Sequence, residues 1–299
     1  MKKIIICSLL SSISLLSCEV SGVKDQAGNK DNQDLLWHED SIDISKENVT
    51  DTISKVNKAK PLKVVDQKEF DNGIKIEWLK HGEGKQLSKN DLVAIDYRLA
   101  LEDGTVYDGN HLVKRSFVPF LVGWGLQTEG WDFALMQLKE GDQVEVFIPS
   151  NLARGKKGIP GVVPPNSNNI MSLHVKHIMD PNHNVDDIRI WIVEKGKNRN
   201  DTIKAGDEVH INYWANSESK PRYDNSYKRG KPFQLVMGDG NIVPGLYKAL
   251  HFAKEGDKVM IHIPAKEGYG SKGLKGMVQP NEDLFYDIMV MEVIRESIP

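Results

Sequence analysis

This chain is poor in the residues that usually announce chemistry. It has two cysteines in 299 residues, Cys7 and Cys18, so its body offers no thiolate metal site and no disulfide framework. There is no GxSxG, no HExxH, no Walker loop and no Cys/His metal spacing, so the ordinary signatures of hydrolases, zinc proteases and P-loop enzymes are missing. His174 and His177 stand three apart, but on a strand that spacing points them to opposite faces. Charge of one sign is also missing. Lys and Arg number 39 against 42 Asp and Glu, for a net charge of −3. They are interspersed, with no basic stripe for nucleic acid and no acidic tail. Past the first residues no apolar run reaches transmembrane length. Neither a cofactor nor a metal is implied.

The start of the chain reads as targeting. Lys2 and Lys3 precede an apolar run, Ile4–Leu16, too short to span a bilayer as a helix and suited to a signal peptide. It closes on Leu15-Leu16-Ser17-Cys18, which resembles a bacterial lipobox, with Cys18 as the residue to be lipidated. Residues 1–18 are thus expected to be a lipoprotein signal peptide and 19–61 a polar tether, with Leu35, Leu36 and Trp37 as its apolar exception. The expectation is an extracytoplasmic body, on the periplasmic side or the cell surface, anchored to a bacterial membrane by lipid.

The body of the chain is a duplication. Leu138–Pro149 reads LKEGDQVEVFIP and Ala253–Pro264 reads AKEGDKVMIHIP; NDLVAIDY, ending at Tyr97, matches GDEVHINY, ending at Tyr213. Tyr97 and Tyr213 are 116 residues apart, Asp108 and Asp224 again 116, Lys139 and Lys254 115. Solenoid units repeat at about 20–50 residues, so a period of this length is a whole domain. Two domains are expected, at 62–180 and 187–296, with Pro181–Asp186 as a short polar linker.

Inside each copy the pattern is short β-type runs between glycine-bearing turns. Ile74, Ile76 and Trp78 alternate, as do Ile188, Ile190 and Ile192, and the closing strands alternate Met171, Leu173, Val175 and Leu284, Tyr286, Ile288. Period-two alternation predicts a sheet with one buried face. One helix per copy interrupts it: Trp131, Ala134, Leu135 and Leu138, and then Leu246, Ala249, Leu250 and Ala253, fall at i, i+3, i+4 and i+7. Gly130 and Gly245 are expected just before those helices. The fold class is α+β: antiparallel strands wrapped around one short helix, built twice.

Across about residues 70–179 and again 187–295 the chain resembles the FKBP family of peptidyl-prolyl cis–trans isomerases. The first copy carries Tyr97, Tyr107-Asp108, Pro119-Phe120, Gly130-Trp131 and Val162-Val163 before Pro164-Pro165-Asn166. The second carries Tyr213, Tyr223-Asp224, Arg229, Pro232-Phe233, Ile242-Val243, Gly245, Gly268-Tyr269-Gly270, and Met277-Val278 before Pro280-Asn281. Departures are equally specific. The first copy has Gln127-Thr128 for the family's Val-Ile pair, Arg154 for its Tyr at the base of the flap, and a longer loop before Pro119. The second has Leu246 for the Trp of the pocket floor and Gln279 for the first flap proline.

The resemblance implies two copies of an FKBP-type pocket for proline-containing segments of exported proteins. Trp131 or Leu246 is its floor, Tyr97 and Phe120 or Tyr213 and Phe233 its walls, Asp108 or Asp224 the group near the twisting carbonyl. Arg229 orients the carboxylate, Ile242-Val243 offers a backbone N–H, Tyr269 a hydroxyl, and Tyr107, Val162, Val163, Tyr223 and Tyr286 complete the set. In the family, one tandem copy is often weakened. Without the family, Tyr97, Tyr213, Phe120 and Phe233 are equally core aromatics, and Asp108 and Asp224 equally turn residues. Two further functions stay open: a non-catalytic chaperone or proline-peptide scaffold, and a structural lipoprotein with vestigial pockets.

Overall fold

The computed structural model describes residues 63–197 and 201–295; the expected signal peptide, Cys18 and the tether lie outside those residues. Two seven-stranded antiparallel sheets are present. The first is built from β1 (Asp66–Glu69), β2 (Lys75–Lys80), β3 (Leu92–Leu101), β4 (Val106–Gly109), β5 (Val118–Leu121), β6 (Gln143–Ile148) and β7 (Asn169–Ile178), with helix α1 at Glu129–Leu135. The second is built from β8 (His183–Val185), β9 (Ile188–Glu194), β10 (Glu208–Ser217), β11 (Asp224–Asn225), β12 (Phe233–Val236), β13 (Lys258–Ile263) and β14 (Leu284–Ile294), with helix α2 at Pro244–Leu250. Strand order is β1-β2-β6-β7-β3-β4 with β5 on β3, and β8-β9-β13-β14-β10-β11 with β12 on β10. The two orders are the same, element for element, so the sequence repeat is a repeat of topology.

By packing, the described residues form two compact units: one of 63–80, 96–116 and 143–173, the other of 81–95, 117–142 and 174–295. In the first unit Ile74, Ile76 and Trp78 of the β2 segment are buried, as alternation predicts, together with Leu99, Val144, Val146, Ile148, Met171 and Leu173. In the second, α2 packs on β9 and β13. Leu246, Ala249 and Leu250 join Ile188, Ile190, Val259, Ile261, Ile263 and Ile288 in one cluster.

Three details differ from the sequence reading. The helices are shorter than their stripes: each ends at the third stripe residue, Leu135 or Leu250, and Leu138 and Ala253 sit in the next turn, their N–H groups 3.0 Å from the carbonyls of Leu135 and Leu250. They remain buried because a turn keeps them over the same face. Gly130 and Gly245 lie inside the first helical turn instead of before it. At Gly245 the reason is close approach, since a Cβ would stand 2.4 Å from Ile263 Cγ2. Finally, the expected linker contains strand β8, which forms a hairpin with β9. Its turn is made by Asp186 and Asp187 at φ 52° and 68°, the left-handed pair that a two-residue hairpin requires.

The expectation of one buried face also fails locally. Every residue of β13 is buried, and Trp191 interrupts the β9 alternation while Ile192 is only half-buried. On the face away from α2, Trp191, Met260 and Phe285 join Leu92, Leu121 and Trp124 in a second cluster of the same unit. Trp124 also donates its indole N–H to Asn90 Oδ1 at 2.7 Å.

The most alike segments turn out to be turns held by carboxylates. Asp142 accepts from Gly82 N at 2.6 Å and Lys139 N at 2.8 Å; Asp257 accepts from Gly196 N at 2.7 Å and Lys254 N at 2.9 Å. Each KEGD run therefore clamps its own turn to the loop that follows β2 or β9. Gly196 has to be glycine, because a Cβ there would lie 2.1 Å from the Glu255 carbonyl oxygen.

Candidate functional site

The second copy brings its expected residues together within one unit. Tyr213, on β10, is buried, and its hydroxyl donates to Asp224 Oδ2 on β11. Arg229, in the 3₁₀ turn after β11, completes a ring: Nη1 donates to Asp224 Oδ1 at 2.8 Å and Nη2 to the Tyr213 hydroxyl at 2.6 Å. The guanidinium stands 5.5 Å from the Tyr213 ring centroid. A carboxylate held on one oxygen by an arginine and on the other by a phenol has its orientation fixed. Its backbone is fixed too, for Asn225 N donates to Asp224 Oδ1 at 2.8 Å and Tyr213 N to Ser226 Oγ at 3.0 Å.

Aromatic rings close around this ring of polar groups. Phe233 of β12 meets the Tyr213 ring edge-on at 5.9 Å, and Tyr286 of β14 lies 6.1 Å from it. The Tyr223 and Tyr286 hydroxyls are 3.1 Å apart, and both are near enough to act on the Tyr269 hydroxyl. Burial, reinforced by Asp224 and then opposed by Arg229, pushes the Tyr213 phenol up; burial likewise pushes up Tyr223, Tyr269 and Tyr286. All four stay neutral donors at any ordinary pH. Val243, Leu246 and Val278 are buried in the same apolar cluster, with Ile242 packed against it.

In the first copy the corresponding residues belong to two units. In the first unit, Tyr97 donates from its hydroxyl to Asp108 Oδ1 at 3.1 Å, both side chains being about 3% exposed. Gly109 N donates to Asp108 Oδ1 at 2.7 Å and Tyr97 N to Asn110 Oδ1 at 2.7 Å. Burial raises the Asp108 carboxyl to about 7, against the pull of Gly109 N, Tyr97 and the charge of Arg154. Tyr107 and Val163 are buried and Val162 is half-buried. In the second unit, Phe120 and Trp131 are stacked, centroids 5.4 Å apart and planes 26° apart. Asp132, next to that Trp, accepts from Gly123 N at 2.9 Å and Gly125 N at 2.6 Å and so fixes the turn leading into α1.

Thr128 occupies the helix-entry place of Val243. Thr128 O accepts from Trp131 N at 2.9 Å as Val243 O accepts from Leu246 N at 3.0 Å. The replacement of Ile242-Val243 by Gln127-Thr128 thus changes side chains while the helix-entry hydrogen bond is kept. Two supporting positions went unread in the sequence, Asn110 and Ser226. They take the same hydrogen bond from the tyrosine N–H, and their 116-residue offset was the signal that could have found them.

A sequence model of the family described as FKBP-type peptidyl-prolyl cis-trans isomerase matches residues 83–175 and 199–291. The chain belongs to that family. Among curated FKBP proteins, it is 25% identical over 215 residues to mouse peptidyl-prolyl cis-trans isomerase FKBP10, covering 72% of this chain and 36% of that one. It is 34% identical over 90 residues to FK506-binding protein 1 of Debaryomyces hansenii, covering 30% of this chain and 80% of the yeast protein. The chain therefore spans about a third of the length of the mouse FKBP and supplies most of the yeast one from a single stretch. A crystal structure of the three FKBP domains of wheat FKBP73 matches 76% of this chain and 97% of that one at 22% identity, with a TM-score of 0.38.

Proposed function

We propose that this FKBP-family chain is a peptidyl-prolyl cis–trans isomerase that assists the folding of exported proteins while held to a bacterial membrane through a lipid on Cys18. The observation that carries the catalytic part is the second copy's cluster of Tyr213, Asp224, Arg229, Phe233 and Tyr286, polar groups fixed inside aromatic walls.

Rotation about a peptide bond costs about 18–20 kcal/mol because it breaks amide resonance. The two X–Pro isomers lie within about 1 kcal/mol, so both populate, yet they exchange only over tens to hundreds of seconds. The twisted bond has lost its resonance dipole and needs less solvation than either planar form. An apolar, aromatic-walled site binds it better than the ground states, and each 1.36 kcal/mol of that preference is about tenfold in rate. The proline ring lies against Trp131 and Phe120 in the first copy and against Leu246 and Phe233 in the second. In the second copy Asp224 lies beside the carbonyl that twists, and Asp108 is the corresponding carboxyl of the first.

A specific observation also favours a binding role without catalysis in the second copy: its floor residue is Leu246, which has no ring for the proline to stack on. The test is acceleration of a proline-limited refolding reaction by the full chain, with Trp131→Ala and Tyr269→Phe alongside. No acceleration above the uncatalysed rate sinks the enzyme reading; suppression of aggregation surviving in the same samples supports the chaperone. For the anchor, Cys18→Ser is expected to move the protein from the membrane pellet to the soluble extract, and a wild-type protein found soluble removes that part.

A further inference from the structure

Both copies enter the flap by the same backbone path. Pro149 and Pro264 lie at φ −63° with ψ 150° and 151°; a 3₁₀ turn follows each; then Ala153 and Gly268 lie at φ −107°, ψ −120° and φ −101°, ψ −124°. Asn166 N closes on Gly155 O at 2.8 Å, and Asn281 N on Gly270 O at 2.9 Å. Between these shared points stands one residue that differs in kind: Arg154 in the first copy, Tyr269 in the second. The scaffold therefore carries both residues at the same backbone position.

Tyr269 shows what that place is. It is half-buried, and Tyr223, Tyr286 and Asp224 are all near enough to act on its hydroxyl. Arg154 is also half-buried, and its charge acts on both Asp108 and the Tyr97 hydroxyl. The first flap, from Ser150 to Asn166, carries Arg154, Lys156 and Lys157 and no acidic residue; the second, from Ala265 to Asn281, carries Lys266, Lys272 and Lys275 together with Glu267, which is ion-paired to Lys248 at 2.9 Å.

We propose that Arg154 makes the first copy selective for proline segments in which the residue before proline is aspartate or glutamate, the guanidinium taking that carboxylate. This rests on the reading of the first copy as a proline site. The carbonyl that twists belongs to the residue before proline, so a cation that acts on Asp108 also reaches that residue's side chain. Arginine suits the task because its planar fork binds a carboxylate through two parallel hydrogen bonds, which a tyrosine hydroxyl cannot do. Asp108 opposes an acidic guest only weakly, because its burial keeps much of it protonated at neutral pH.

The test uses the full chain and short peptides with Glu, Gln, Leu or Lys before a single proline, read by exchange NMR for both isomerisation and binding. The wild-type protein is expected to favour Glu-Pro over Gln-Pro by about fivefold, mainly in KM, the scale of one partly solvated ion pair. That ratio is expected to collapse towards one in Arg154→Gln and at high salt, and to survive in part in Arg154→Lys, with melting curves reporting that each variant is folded. Equal handling of Glu-Pro and Gln-Pro by the wild type, or a preference that persists in Arg154→Gln, overturns the assignment. If no peptide is isomerised but Glu-Pro binds in an Arg154-dependent way, the selectivity stands and the catalytic reading falls.

Discussion

At the scale of single residues, the two copies solve one electrostatic problem in two ways. Asp224 is partly open and is gripped by Arg229 from the adjoining turn. Asp108 is buried, with the charge of Arg154 arriving from the flap instead. The difference has a measurable consequence. Burial lifts Asp108 from its ordinary 3.8 to about 7, so between those values the folded chain binds a proton that the unfolded chain has lost. Stability therefore falls as pH rises from about 4 to about 7 and levels off above, by up to a few kcal/mol at about 1.4 kcal/mol per unit. Asp108→Asn is expected to flatten that segment of the pH profile in urea unfolding; an unchanged slope would show that Asp108 is not its source. The same burial explains why the sequence left Asp108 open between turn residue and site residue. The letters Tyr-Asp are the same in both copies, and only the fold decides which aspartate is covered.

At the scale of elements, the runs that look most alike are structural clamps. Asp142 and Asp257 each hold two backbone N–H groups that strand pairing leaves over. Asp257→Ala is expected to destabilise the second sheet by about 1–3 kcal/mol, the cost of stranding buried donors, read as a shift in the thermal midpoint. A shift within error would make the clamp dispensable. Gly245→Val places branched bulk where even a Cβ would meet Ile263 at 2.4 Å. A loss of about 1–3 kcal/mol is expected from overpacking, and a variant as stable as the parent would mean that α2 can move off β13. Strand periodicity and the helical stripe were legible because both depend on side-chain spacing alone. Helix ends were not, since Leu138 and Ala253 keep the spacing of a helix after the chain has turned out of it. Nor was Trp191: its burial depends on Leu92, Leu121 and Trp124, which are distant in sequence.

At the scale of the whole molecule, duplication has kept the framework and let the pockets part. The first copy keeps a stacked Trp131 and has an arginine at its flap; the second has Leu246 and a trio of phenols. On the proposed reading, Trp131→Ala and Leu246→Ala are expected to be unequal in proline-limited refolding, with the larger loss of rate from Trp131→Ala, because only that change removes an aromatic ring. Equal losses would mean that the floor ring contributes nothing. The sequence by itself determined the duplication, the α+β class and the family, because those rest on spacing, alternation and motif order, which survive substitution. Only the tertiary structure decided which carboxyl is buried, which cation faces it and which sheet face is covered, because burial and electrostatics depend on distances between residues far apart in the chain.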